Sequence, residues 1–482
     1  MLSVLLFFKK KHNLLLAIVV MCAIFATLYC TLSIVRHSHF ASYGFDLGIN
    51  DQTVWRYSRF EPPISTIAPF PDRSKLELHV ELVYALIAPF YWLWPTRHFL
   101  LIISAIVMCS GGLATYLLAK YRLKSEIISF SLSFSYLTFY GLQFAVWFDV
   151  HSSGFAAAFL SWFLYFLDKK KKWASILFFF LAITSKENIA LYTLIISLLY
   201  LIRRRDKILV FFAGFSVFYL LFIFYIFFPY IMNVSYLYQN QDGLLSNINP
   251  YYLFNTTEKL TTLFYSFLSV GFIPLLNPLT IPLIMTHFAT FFVIASDLPG
   301  AQGLFGHYRV TLGPLIMWST IMTIATFKFL NRKYIAFYIL FCAFLVQYTL
   351  HLPLSYLTKP WFWNVPAAAN SINRVIKSVP ETASVAAQNN ITPHLSHRDQ
   401  IYTLYPSKKT FESRSPCGKK LCSWLSWYDH PEFVIVDVAK DWDIRHLLAD
   451  RPVFLDALAN IEKAGVLKRY KVEGTTILYK TN

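Results

Sequence analysis

Ionisable residues are scarce in this chain and fall in short groups. Five of them have the residue types and spacing for chemistry. The first is Phe45-Asp46-Leu47-Gly48-Ile49-Asn50-Asp51. A carboxylate such as Asp46 or Asp51 serves as a general base, a ligand for a cation, or the cap of a short helix. In His79-Val80-Glu81 the two ionisable side chains share one face of a strand but diverge on a helix. They suit metal ligation or a solvated loop. Asp149-Val150-His151 pairs a carboxylate with an imidazole, which can orient a water, bind a metal, or shape a turn. Lys186 and Glu187 are adjacent, so on a helix they point about 100° apart and each calls for another partner. Lys186 suits a phosphate, and a structural ion pair is the alternative. Gly306-His307-Tyr308-Arg309 adds a second cation of phosphate-binding type.

Two further stretches carry polar chemistry. In Pro393-His394-Leu395-Ser396-His397-Arg398 two imidazoles lie three residues apart, which fits a metal site or, more simply, a surface loop. Cys417 and Cys422 bound the stretch CGKKLC, where a small-loop disulfide and two free thiols are both open. No nucleophile elbow, phosphate-binding Gly loop, HExxH or paired CxxC motif occurs.

The elements that position these groups are set by hydropathy. Hydrophobic residues make up 56% of the 482, and charged residues 14%, against about 25% charged in soluble domains. Apolar runs long enough to span a bilayer recur from Leu14 to Leu350. The net charge of +17 comes from basic clusters between these runs: Lys9–Lys11, Lys120–Lys124, Asp168–Lys172, Arg203–Lys207 and Lys328–Lys333. That is the pattern of cytoplasmic anchoring, and without a basic amphipathic face it argues against nucleic acid.

With all five clusters in the cytoplasm, each intervening stretch must cross an even number of times. The stretch 173–202 is basic at both ends and holds Lys186 and Glu187 at its middle. It therefore reads as a hairpin. Its arms are roughly 20 Å long, shorter than the ~30 Å hydrocarbon core, so the turn lies in a recess below the outer surface. The stretch 125–167 follows the same logic and turns near Asp149. Eleven helices result, near 14–35, 98–119, 126–146, 154–167, 173–184, 188–202, 208–230, 259–276, 280–296, 309–329 and 334–352. The stretch Leu82–Trp94 reads as an interfacial or re-entrant helix. The expected fold is a polytopic α-helical membrane domain, 1–358, with an outer loop at 36–97. An extracytoplasmic α/β domain follows at 359–482, with strands at 383–387, 401–404, 433–438 and 476–479 and a helix at 454–463. The N-terminus is cytoplasmic. The acidic and His groups fall on the opposite, extracytoplasmic side of a cell membrane.

The chain resembles a family of uncharacterised bacterial and archaeal membrane proteins related to the GT-C glycosyltransferases. The resemblance rests on Phe45-Asp46-Leu47-Gly48, His79, Phe148-Asp149-Val150-His151, Lys186-Glu187 and the Pro393–Arg398 stretch. It implies a transferase using a polyprenyl-phosphate-linked sugar donor and a glycan, lipid or protein acceptor. Asp46, or else Asp51, would be the catalytic base. Lys186, Arg309 and His307 would face the donor phosphate. Asp149 and His151, with His79 and Glu81, would line the acceptor side or hold a divalent metal, and Glu187 is a further site residue without an assigned role. A transporter or lipid-carrier flippase and a non-catalytic envelope assembly protein are the competing readings.

Overall fold

The computed structural model describes residues 11–67, 73–236, 250–294, 300–327, 332–404 and 431–481. Cys417 and Cys422 lie outside these residues. The chain divides into two compact units. The first comprises Met1–Leu32, Glu77–Val83 and Ile102–Thr358. The second comprises Ser33–Leu76, Tyr84–Leu101 and Lys359–Asn482.

The first unit is helical. Its helices are α1 (Lys11–Ser38, whose last turn passes into the second unit), α2 (Phe99–Leu123, which begins there), α3 (Glu126–Leu137), α4 (Tyr140–Trp147), α5 (Ser152–Asp168) and α6 (Lys172–Ile183). There follow α7 (Ile189–Arg203), α8 (Lys207–Phe222), α9 (Thr257–Leu268), α10 (Ile281–Ala289), α11 (Leu312–Thr326) and α12 (Arg332–Thr349). Apolar stripes pack α5 on α6, α7 on α8 and α3 on α12. Starts are set by local caps: Asp206 accepts from the Ile208 amide before α8, and Thr256 from the Lys259 amide before α9. Among the described residues three helices, Leu14–Ser38, Phe99–Leu123 and Lys207–Ile231, are long and apolar enough to cross a bilayer. Helix length alone therefore does not establish eleven crossings.

Two expected helices are interrupted, each for a local reason. The helix expected over 126–146 breaks at Thr138–Phe139. Gln143 Nε2 donates to the freed Thr138 carbonyl at 2.8 Å and to Gln347 Oε1 at 2.7 Å, so the break is satisfied inside the bundle. The helix expected over 259–276 stops at Leu268, because Gly271 and Phe272 take positive φ and Pro274 follows.

The second unit contains a two-stranded pair, β1 (Ile64–Ser65) with β2 (Arg73–Ser74). It also has a sheet of β3 (Val385–Ala387), β4 (Ile401–Thr403), β5 (Phe433–Asp437), β6 (Leu467–Glu473) and β7 (Thr476–Thr481). The sheet order is β4-β3-β5-β7-β6, parallel from β4 to β5 and antiparallel beyond. Its apolar core includes Phe40, Ile49 and Ile67 from the segment after α1, beside Val385, Ile435 and Leu478. That segment also closes the sheet edge. Thr66 Oγ1 donates to the Ile401 carbonyl at 2.8 Å and accepts from the Ile401 amide at 3.0 Å.

Candidate functional sites

In the first unit, three separate stretches meet at one end of the short helices. The turn between α6 and α7 carries Lys186 and Glu187, and the turn between α4 and α5 carries Asp149 and His151. The segment Glu77–Val83 ties them together. The Val83 amide donates to the Thr184 carbonyl at 3.1 Å, and Ser152 Oγ donates to Glu81 Oε1 at 2.6 Å.

Glu187 is completely buried. It accepts from His79 Nδ1 at 2.8 Å, from the Val80 amide at 3.2 Å and from Tyr236 OH at 2.6 Å. Because an ionised carboxylate only accepts, the Nδ1 of His79 carries the proton, which fixes the ring's tautomer. Burial pushes the Glu187 carboxyl up. His79, Lys186 and Tyr236 together outweigh that and hold it well below the usual carboxylate range. Burial, followed by the Lys186 charge, pushes the His79 imidazole down. Lys186 is half-buried, and among the described residues no hydrogen bond or ion pair takes up its ammonium.

Asp149 is buried in a left-handed conformation, φ 70°, at the tip of its turn. His151 takes the N-cap position of α5 with its ring stacked on His307, 3.5 Å between centroids and 13° between planes. Arg309 is fully buried and committed to the fold. It donates to the carbonyls of Gly303 and Ala301, pairs with His287 Nε2 at 3.1 Å, and lies over the Phe291 ring. The first unit therefore gathers His79, Lys186 and Glu187, links Glu81 to the turn that holds Asp149, and stacks His151 on His307.

These groups sit at the ends of helices whose other ends are basic. The turn joining α5 to α6 is Lys169–Lys171, and α7 ends at Arg203. At that end the buried Asp168 accepts from Arg122 and from Tyr200 OH at 2.9 Å.

The second unit holds Asp46 and Asp51. Asp46 lies half-buried in a wide helical turn, Gly44–Gly48. The turn is pinned where the Gly44 amide donates to the Asn389 carbonyl at 2.7 Å. A Cβ on Gly44 would sit 3.1 to 3.3 Å from Thr392 and Asn389, so glycine permits that approach. Asp46 does not cap the following helix, Ile49–Ser58, whose N-cap is Gly48. Asp51 is 1% exposed and accepts from Tyr91 OH and Ser396 Oγ, both at 2.5 Å, with His397 Nε2 at 3.0 Å. Burial raises its carboxyl, but these partners prevail and hold it below the ordinary range. A carboxylate so fully bonded is a weak base.

Sequence reasoning missed His37, Tyr91, Arg97 and His98. It also read Pro393–Arg398 as a surface loop, whereas Pro393, Leu395 and Ser396 are buried. The signal available was the run of His, Ser and Arg between apolar residues, which repeats too tightly for a solvated loop. Among the described residues, no group of three or more His, Cys, Asp or Glu is arranged to hold a metal ion. The paired sites do not supply a metal's usual ligand set.

Solved structures share this architecture. ArnT from Cupriavidus metallidurans in the apo state matches with a TM-score of 0.57 and 12% identity, over 96% of this chain and 97% of that one. The same protein bound to undecaprenyl phosphate matches with a TM-score of 0.52 and 11% identity, over 95% of this chain and 97% of that one. The arabinofuranosyltransferase AftD from Mycobacteria gives a TM-score of 0.47 at 11% identity, over 96% of this chain and 40% of that one. The chain shares its fold with ArnT. Residues 36–440 match the model of the DUF2079 family, described as a predicted membrane protein, and the chain belongs to that family. No curated protein matches the chain.

Proposed function

We propose that the protein is a membrane-embedded glycosyltransferase that takes its sugar from a polyprenyl-phosphate donor at the extracytoplasmic face of the cell membrane. The observation that carries this reading is the fold shared with ArnT over 96% of the chain, one ArnT structure holding undecaprenyl phosphate. The charge distribution of the first unit supports it, with His79, Glu81, Lys186 and Glu187 at one end of the short helices and lysines and arginines at the other. In this reading the basic turns are cytoplasmic, the chain crosses the membrane eleven times, and the C-terminal segment lies outside.

Each role follows from local chemistry. Breaking the sugar C1–O bond leaves charge on the departing phosphate, and a fixed cation near that oxygen stabilises it. Lys186, whose ammonium takes no hydrogen bond or ion pair among the described residues, supplies that cation. Glu187 fixes the His79 ring, which then presents a defined edge to the same phosphate. In the transfer the acceptor oxygen bonds to C1 as its proton passes to a carboxylate base, and polyprenyl phosphate leaves. Of the two carboxylates of the second unit, Asp46 is the candidate base, since the oxygens of Asp51 are already taken. Asp149, His151 and His307 shape the acceptor side, and Arg309 holds its own segment in place.

The test is transfer in proteoliposomes supplied with undecaprenyl-phosphate-linked pentose or hexose and a membrane extract as acceptor. Lys186→Gln is expected to lower the release of undecaprenyl phosphate by a factor of about 10²–10³. Wild-type protein that moves the donor across the bilayer without releasing the carrier would establish transport instead.

A further inference from the structure

The second unit has a half-open cavity of about 750 Å³, within the range of small-molecule sites. It uses none of the groups given a role above. Arg97, His98 and Glu381 line it, with His37, His394 and Arg398. Arg398 is 6% exposed and donates to the carbonyls of Pro380, of Glu381 at 2.9 Å and of Ala383 at 3.1 Å, so its guanidinium is fixed in the wall. His37 is 1% exposed, and its ring stacks on His394, 4.0 Å between centroids and 8° between planes. Among the described residues, His37 Nδ1, His394 Nε2 and the Nε atoms of Arg97 and Arg398 have no hydrogen-bond partner. Buried polar atoms are normally satisfied, so a cluster of unsatisfied ones around one void marks a ligand's place.

The charge in this void is one-sided. Against two arginines and four imidazoles stands Glu381, which is exposed. Nearby Asp51 is already bonded to Tyr91, Ser396 and His397. A metal does not fit, because ring lone pairs lie in the ring planes and two parallel stacked imidazoles cannot aim at one ion. A carboxylate saturates one arginine and leaves the rest unmet. A tetrahedral phosphate offers three oxygens to several donors at once.

We infer that this cavity binds a phosphate or diphosphate group, held by Arg97 and Arg398 with the histidines as neutral donors. Burial and then the Arg97 charge push the His394 imidazole down to about 3 and lower Arg398, so a bound anion relieves both. His37, His98, His394 and His397 face the cavity with Arg97 and Arg398 as cations and Glu381 as the anion. The inference does not rest on the transferase reading, since binding is read directly.

The experiment is calorimetric titration of the full-length protein in zwitterionic nanodiscs with inorganic phosphate and with pyrophosphate. A parallel arm measures nanodiscs doped with undecaprenyl phosphate by native mass spectrometry. Arg97→Gln and His98→Gln replace half-buried and exposed residues, and each is expected to melt as wild type does. In Arg97→Gln the affinity is expected to fall about 10- to 100-fold. Lys186→Gln removes the phosphate contact proposed for transfer, and the loss caused by Arg97→Gln should persist in that background, which separates this site from the proposed transfer. Binding of the soluble anions assigns a free phosphate ligand, and binding of the doped lipid alone assigns a lipid head group. Wild-type protein that binds none of the three, or Arg97→Gln that binds as tightly as wild type, overturns the inference.

Discussion

At the scale of residues, the chain keeps two buried groups in charge states that the surroundings enforce, and each has a pH signature. Glu187 is ionised in the fold, its carboxyl held below the ordinary value of 4.5 by His79, Lys186 and Tyr236 against the pull of burial. Its contribution to stability is complete above about pH 4.5 and is lost as the pH falls below that value, where the unfolded chain binds the proton first. Glu187→Gln keeps the shape but replaces an acceptor with a donor facing His79, Val80 and Tyr236. It is expected to cost about 1–3 kcal/mol, seen as a lower Tm in detergent at neutral pH, with a flatter loss of Tm on acidification. His394 is the opposite case, neutral in the fold. Its imidazole is lowered from 6.5 to about 3 by burial and then by Arg97 and His98. Its contribution is complete above pH 6.5 and falls away toward pH 3, because the unfolded chain takes the proton that the fold refuses. His394→Phe should preserve the stack on His37 and remove that acid sensitivity between pH 6.5 and 3, a difference that melting curves across that range would show.

At the scale of elements, the apolar runs and basic punctuation made the helices legible. The expected 173–184 and 188–202 correspond to Lys172–Ile183 and Ile189–Arg203, because the polar Ser185–Asn188 stretch leaves the backbone no apolar way to continue. The break at Thr138–Phe139 was not legible. It depends on Gln143 meeting a freed carbonyl and a partner 204 residues away, and hydropathy carries no trace of such a bond. The same limit hid the closeness of α4 to the Arg309 segment. A Cβ on Gly141 would lie 2.6 Å from the Arg309 carbonyl oxygen, a backbone atom that cannot swing aside. Gly141→Ala, ordinarily favourable in a helix, is therefore expected to destabilise the first unit by about 1–3 kcal/mol. A Tm equal to or above that of wild type would show that the two segments separate more easily than their packing indicates.

At the scale of the whole molecule, sequence composition drew a line near residue 358, where membrane character gives way to soluble character. Composition marks where the polarity of a chain changes and says nothing about which distant segment completes a core. The second unit draws Ser33–Leu76 and Tyr84–Leu101 into the same compact body as Lys359–Asn482. Phe40, Ile49 and Ile67 are buried in one core with the sheet, and Thr66 satisfies the edge of β4. Each of those three apolar side chains contributes about 1.5–3 kcal/mol on burial, so their loss takes roughly 4–9 kcal/mol from a domain whose stability is about 5–15 kcal/mol. Residues 359–482 made alone would also present the bare β4 edge to other chains. The isolated segment is expected to aggregate or to bind a hydrophobic dye without a cooperative melt. Joining residues 33–76 to its N-terminus through a flexible linker should restore a cooperative transition. A sharp, reversible melt from the unjoined segment would mean that the sheet closes its core without the loop, and that the two early segments are only a covering.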